Sequence, residues 1–255
     1  MSKNQEYQNN AEQKCLDLVK NNLYKKDCFG MSDQQYIELQ KWLKDARPNQ
    51  SSNEFPDFVF ENGFIEHFAI TSSLEGRKGA KQKQESMILR RESETAFLSE
   101  LDSSEDRPLV SKSFFRPFEQ HSHLNIVNSV KKNWQKHIKS YEKISPPKHG
   151  IFLLEYTDFN IHTAICKENE LAEIYSSYRI SADKNLLEWI YTFNGKIEYL
   201  ILSNPFSIEV IRIEQILNII ENIPRVIYEP VIGMESNKYI AAKGSGISDK
   251  DNRRT

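Results

Sequence analysis

Between Phe55 and Thr71 the chain reads FPDFVFENGFIEHFAIT, dense in aromatic and β-branched residues and broken at its middle by Asn62-Gly63. Such side chains suit the pleated surface of a sheet, and Asn-Gly tolerates the positive φ angles of a tight hairpin turn. The segment predicts two antiparallel strands joined by a type I′ loop at Asn62 and Gly63. That turn sets a register in which Glu61 faces Phe64, Val59 faces Glu66 and Asp57 faces Phe68. Asp57 and Glu66 then share one face as diagonal neighbours, with Cβ atoms about 7 Å apart. His67 alternates to the other face.

Around this hairpin the apolar spacing changes. From Ala11 to about Asn22, Cys15, Leu16, Leu18, Val19 and Leu23 recur at helical intervals, and Ser32 is a helix cap before Tyr36, Leu39, Trp42 and Leu43. Arg47-Pro48 and the run Asn49 to Asn53 read as a loop. After the hairpin, LEGRKGAKQKQES reads as a basic loop leading into a surface helix. His123 to Tyr141 is a clearer helix: Val127, Val130, Trp134, Ile138 and Tyr141 form one stripe, while Lys131, Lys132, Lys136, Lys139 and Lys143 lie off it. GIFLLEYTD reads as a buried strand, followed by a strand near 160–167, a helix from Ser181 or Asp183, a strand at Ile197–Leu202, a mostly helical stretch from Glu209 to Ile223, and a last strand at Val226–Tyr228. The order implies an α/β (α+β) fold: a mixed β-sheet flanked by helices, with a helical N-terminus and a central β-hairpin. The expected division is a helical segment at 1–54, a core at 55–158, a C-terminal half of the same sheet or a small second domain at 159–243, and a disordered tail at 244–255.

Composition removes several classes. With 255 residues, 38% of them hydrophobic and 27% charged, the chain has material for a core and is not globally disordered. No apolar run approaches the roughly 20 residues of a membrane span, and the first residues carry no apolar leader. Cys15, Cys28 and Cys166 are odd in number and scattered, so a cytoplasmic protein with reduced thiols and no membrane partner is expected. The net charge of −2 conceals an asymmetry: residues 121–148 hold 6 basic side chains and 1 acidic, whereas residues 150–230 hold 6 and 12. A polyanion is expected to approach from the hairpin side, and the C-terminal half to serve as scaffold or as a surface for a protein partner.

Two carboxylates on one strand pair suit a hard cation. Asp57 and Glu66 would hold Mg²⁺ or Mn²⁺ through oxygen while leaving positions for water and phosphate, as metal-assisted hydrolysis requires. The segment after the hairpin offers phosphate contacts through Arg77, Lys78, Lys81 and Lys83, with Ser72 and Ser73 beside them, but lacks the spacing of a P-loop. Lys131, Lys132 and Lys136 extend this basic flank toward DNA or RNA. Glu155, at the end of the GIFLLEYTD strand, is positioned to join the hairpin acids. His121-x-His123 lacks the partners of a structural zinc site.

Pro56-Asp57, then Glu66 nine residues on, then a basic helix and a buried strand, resemble the PD-(D/E)xK nuclease superfamily over roughly residues 30–158. In that superfamily a helix precedes a hairpin carrying the aspartate and the (D/E)xK acid and lysine, and a further helix and strand complete the core. The resemblance implies that Asp57 and Glu66 are metal ligands, with Glu38 on the preceding helix as a third. The lysine position is Phe68, so a cation from a neighbouring element takes its place, for which Lys81, Lys83, Lys131 and Lys132 are candidates. Such folds serve in restriction, repair or defence against foreign DNA, and the abundance of Lys, Asn and Ile fits a low-GC bacterial host. The alternative, favoured by Phe68, is a non-catalytic interaction or regulatory subunit built on the same fold.

Overall fold

A computed structural model describes residues 3–49, 55–73, 79–103, 109–117, 121–143, 149–156, 160–168, 170–204, 206–231 and 234–242. In chain order the elements are α1 (Lys3–Asn22), β1 (Cys28–Phe29), α2 (Asp33–Asp45), β2 (Arg47–Pro48), β3 (Phe58–Phe60), β4 (Gly63–Ile70), α3 (Gly79–Ser103), β5 (Leu109–Pro117), α4 (His123–Tyr141), β6 (His149–Tyr156), β7 (Ile161–Cys166), β8 (Glu173–Tyr175), α5 (Lys184–Tyr191), β9 (Tyr199–Asn204), β10 (Ser207–Arg212), α6 (Ile216–Ile220), β11 (Arg225–Pro230) and β12 (Met234–Ala242). The chain divides into two compact units, one of residues 1–75 and 120–231, the other of residues 76–119 and 232–255. This division crosses the boundaries drawn from the sequence at 54, 158 and 243. Residues 159–231 belong with the hairpin, whereas residues 76–119 do not, and the tail at 244–255 lies outside the described residues. No described helix is long and apolar enough to cross a membrane.

The larger unit is built on a seven-stranded mixed sheet in the order β1-β10-β9-β6-β4-β3-β2, with a separate three-stranded sheet β11-β7-β8. β4 runs parallel to β6, and β6 parallel to β9, so the centre of the sheet is covered on both faces. On one face α1 and α2 bury Leu16, Val19, Leu39 and Leu43 against Ile65, Leu153 and Ile201. On the other, α4, α5 and α6 bury Val130, Trp134, Leu187 and Ile216 against Phe64, Phe68, Phe152 and Leu202. Strands hydrophobic at nearly every position follow from this double coverage; β9 is buried throughout. Short polar residues start the helices. Ser32 forms a capping box with Gln35 on α2, Ser122 accepts from the Asn125 amide on α4, and Asp183 accepts from the Leu186 amide on α5.

The hairpin exists, but its turn is one residue earlier than Asn-Gly predicts. β3 pairs with β4 as Phe58 with Ile65, Val59 with Phe64 and Phe60 with Gly63, leaving Glu61 and Asn62 as the loop. Asn62, at φ 60°, is the one non-glycine residue with positive φ among the described residues, so the turn is not type I′. Gly63 is needed elsewhere: a Cβ on it would lie 2.2 Å from the Phe60 ring, which folds across the strand at that point. Every side chain keeps its predicted face, yet continuing the register by one residue sets Asp57 directly opposite Glu66 instead of diagonal to it.

Other expectations also change. Arg47-Pro48 is not loop but an edge strand against β3, an acceptable place for proline. The Glu209–Ile223 stretch divides: Ser207–Arg212 is a strand antiparallel to β9, buried at its four middle positions, and helix is confined to a 3₁₀ turn at Ile213–Gln215 and the short α6. The turn between those strands is held by Asn204 Oδ1, which accepts from the Phe206 and Ser207 amides at 2.9 Å each. The smaller unit holds two strands the apolar pattern did not signal, β5 and β12, paired antiparallel, with Phe97 of α3 stacked on Tyr239 of β12 at 5.3 Å.

Candidate metal centre

Asp57 and Glu66 lie on the α4 face of the sheet and are tied to each other through the backbone. The Asp57 amide donates to Glu66 Oε2 at 3.1 Å, and the His67 amide donates to Asp57 Oδ2 at 2.7 Å. These reciprocal bonds hold two carboxylates side by side at the open end of β3, immediately after the cis Phe55–Pro56 peptide. Glu66 Oε1 contacts His137 Nδ1, which α4 presents from above. The His137 ring in turn lies flat on Phe68, with centroids 4.9 Å apart and planes 9° from parallel. Phe68 also meets Trp134 and Phe152 edge-on, so the residue at the expected lysine position is core, and an imidazole occupies the space beside it.

Burial dominates the electrostatics. It pushes the Asp57 carboxyl up to about 7, with the Glu66 charge adding to the effect and the His67 amide opposing it. Burial likewise pushes Glu66 up to about 7, against the Asp57 amide bond and the attraction of Lys136, with the charge of Glu12 on α1 reinforcing the rise. His137 is driven down to about 4, first by burial and then by Lys136, so it is neutral at pH 7. Among the described residues neither hairpin acid makes an ion pair with lysine or arginine. A buried Glu66 and a half-buried Asp57, each accepting from an amide and with no adjacent cation among the described residues, make a site poor in positive charge, whose oxygens suit a hard divalent ion.

The reverse face of β4 carries a second group. His67 Nε2 meets Glu155 Oε2 at 3.1 Å, and Cys15 of α1 brings its sulfur within 4.8 Å of both ligand atoms. Burial pushes the Cys15 thiol up to about 12, which removes it as a nucleophile at neutral pH. Glu155 therefore approaches the hairpin through His67 and not by joining Asp57 and Glu66.

The remaining candidates fall as follows. Glu38 is exposed on α2 and acts electrostatically on Tyr199, whereas the helical acid whose charge reaches the pair is Glu12. Lys131 lies over the Trp189 ring at 5.4 Å, and Lys132 is exposed; of the lysines nominated on α4, Lys136 is the one that acts on Glu66. Lys81 and Lys83 lie on α3, but their side chains are outside the described residues, as are Arg77 and Lys78 entirely. Sequence reasoning missed His137 and Glu12. The signal for His137 was available: it stands three residues after Trp134 and four before Tyr141, on the stripe that faces the sheet. Glu12 had none, because α1 and α2 pack on the same face and the pattern does not say which one passes the hairpin. Compared with protein-family models, curated proteins and solved structures, the chain gives no match.

Proposed function

We propose that this protein is a metal-dependent phosphodiesterase acting on nucleic acid, with Asp57 and Glu66 holding Mg²⁺ or Mn²⁺. The observation that carries this reading is the pair itself: a buried and a half-buried carboxylate, backbone-locked side by side, with no cation in contact among the described residues. Acids held away from water without a compensating cation are costly, and a site that retains them is a candidate for ion binding or proton chemistry. The succession of helix, hairpin, helix and parallel strand, here α2, β3–β4, α4 and β6, supports likeness to the PD-(D/E)xK superfamily. When bound, a divalent ion supplies Lewis-acid polarisation of the phosphodiester and lowers the pKa of attacking water. Asp57 and Glu66 serve as its oxygen ligands, the His67 amide orients Asp57, and neutral His137 orients Glu66. Lys136, with Lys132 and Lys139 exposed along α4 and Lys143 just beyond its end, draws the polyanion toward the acids.

The test is incubation of the purified protein with plasmid, linear and single-stranded DNA and with RNA, in Mn²⁺ or in chelator, beside Asp57→Asn and Glu66→Gln. Cleavage that requires the metal and is lost in both variants is expected; cleavage unchanged in both removes the assignment. A second reading, a non-catalytic interaction protein, is favoured by one observation. Phe68, at the position the resemblance gives to lysine, is stacked on neutral His137 and brings no cation to the acids. It predicts neither cleavage nor binding of Mg²⁺ at Asp57 and Glu66.

A further inference from the structure

We propose that Cys15, His67 and Glu155 form a second metal site, for a borderline divalent ion of the zinc class, on the face of β4 opposite the hairpin acids. This site rests on its own residues and stands whether or not Asp57 and Glu66 hold magnesium. Its donors are a sulfur, an imidazole nitrogen and a carboxylate oxygen, the set zinc takes in three-ligand sites, whereas a purely hard ion would avoid the sulfur. The placement follows from the sheet. His67 pairs with Leu153 and Ala69 with Glu155, so His67 and Glu155 are diagonal neighbours on one face of β4 and β6. Cys15, one turn after Glu12 on α1, closes over them from the covering helix. The three ligand atoms lie within 4.8 Å of one another, and His67 Nε2 and Glu155 Oε2 are already 3.1 Å apart. Ligands about 2.0–2.3 Å from a tetrahedral zinc stand roughly 3.3–3.7 Å apart, so the cluster needs to contract by about an ångström at the sulfur.

A neighbouring residue extends the cluster. Glu155 pairs with Ser203 on β9, and Ser203 is 1% exposed, its hydroxyl interacting with the Cys15 side chain. It lies beside Cys15 on the α1 face, where it can donate to a metal-bound sulfur or carboxylate. Access is from the Glu155 side, whose side chain is 26% exposed while His67 is 7% exposed. Loading exchanges the Cys15 proton for the ion, and the thiolate and carboxylate together balance its two charges.

The probe is Co²⁺ added to the chelator-treated full-length protein under reducing conditions. The expected result is one equivalent bound with a near-ultraviolet thiolate-to-cobalt charge-transfer absorption, bleached when Zn²⁺ displaces it. The band should vanish in Cys15→Ser, persist in Asp57→Asn, and need at least about tenfold more Co²⁺ in Glu155→Gln. No band in the folded wild-type protein, or an undiminished one in Cys15→Ser, overturns the proposal. Cys28 and Cys166 are free thiols outside the cluster, so a band surviving in Cys15→Ser reports them instead. Should Cys15→Ser lose its circular dichroism spectrum, Glu155→Gln decides, because its side chain lies at the rim: an unchanged Co²⁺ affinity there also overturns the site.

Discussion

The larger unit buries two sets of acids and treats them in opposite ways. Around α5, Glu209 has no exposed surface and is met by the Arg179 guanidinium at 3.0 Å, by the Ile180 amide at 2.8 Å and by the Ser181 hydroxyl. Asp183 accepts from Tyr178 at 2.7 Å and from the Leu186 amide at 3.1 Å, and His123 lies 2.6 Å away. At the hairpin, Asp57 and Glu66 are given amides and a neutral imidazole but, among the described residues, no cation. The first set is saturated, as structural acids in a folded interior are. The second is left short of positive charge among the described residues, as the proposed metal site requires.

The contrast is broken most severely at Arg179. Removing it by Arg179→Ala leaves Glu209 charged and unpaired in the interior, and a loss of about 3–5 kcal/mol in urea-unfolding free energy is expected. Asp183→Ala, which removes a helix cap and two side-chain partners, should cost about 2 kcal/mol. Neither loss should respond to divalent metal. If Mg²⁺ or Mn²⁺ restored either variant, the saturated cluster would itself be a metal site and the distinction would fail.

The hairpin acids should respond with the opposite sign. Their carboxyls are raised by burial in the folded state, so the native protein holds protons that the unfolded chain has released. The stability this contributes is full below about pH 4 and is lost as pH rises toward 7. His137, driven down from 6.5 to about 4, works the other way, contributing above pH 6.5 and losing its part as pH falls toward 4. Two carboxyls outweigh one imidazole between these limits, so unfolding free energy in chelator should fall from pH 5 to pH 8. Asp57→Asn should flatten that slope and stabilise the protein at pH 8 by on the order of 1–2 kcal/mol, and Mn²⁺ should stabilise wild type but not the variant. A variant less stable than wild type at pH 8 would place Asp57 among the structural acids.

How far the sequence anticipated this contrast depends on which forces write themselves into local pattern. The hairpin, the amphipathic α4 and the mixed sheet were legible, because side-chain alternation and helical periodicity record which face is buried. The shared face of Asp57 and Glu66 was legible for the same reason, and a two-residue change in register left it intact. Their direct opposition was not, since it depends on the Phe60 ring lying over Gly63, a contact no pattern encodes. β10 reads as helix because Ile208, Ile211 and Ile216 keep nearly helical intervals, while the Asn204 turn that folds Ser207–Arg212 back on β9 is a matter of single hydrogen bonds. The partners of Glu209 and Asp183 come from tertiary neighbours up to 60 residues away, so nothing local distinguished a saturated acid from an unsatisfied one.

The smallest expected effect bears on Lys136, the cation nearest in influence to the hairpin. It is exposed, and it lowers Glu66 only against a larger penalty of burial. An exposed charge acting at a distance through solvent stabilises little, so Lys136→Gln should change unfolding free energy by less than about 0.5 kcal/mol. Its consequence should lie in binding instead. If α4 draws a nucleic acid toward the acids, the dependence of DNA affinity on salt should lose about one unit of log–log slope in the variant, with affinity weakened similarly for all sequences. A stability loss approaching that of Arg179→Ala would mean that Lys136 neutralises Glu66 as Arg179 neutralises Glu209, and the two regions would then be alike. An unchanged salt slope with unchanged stability would leave the hairpin acids without a polyanion to serve, and the interaction-protein reading would gain the ground that the basic helix loses.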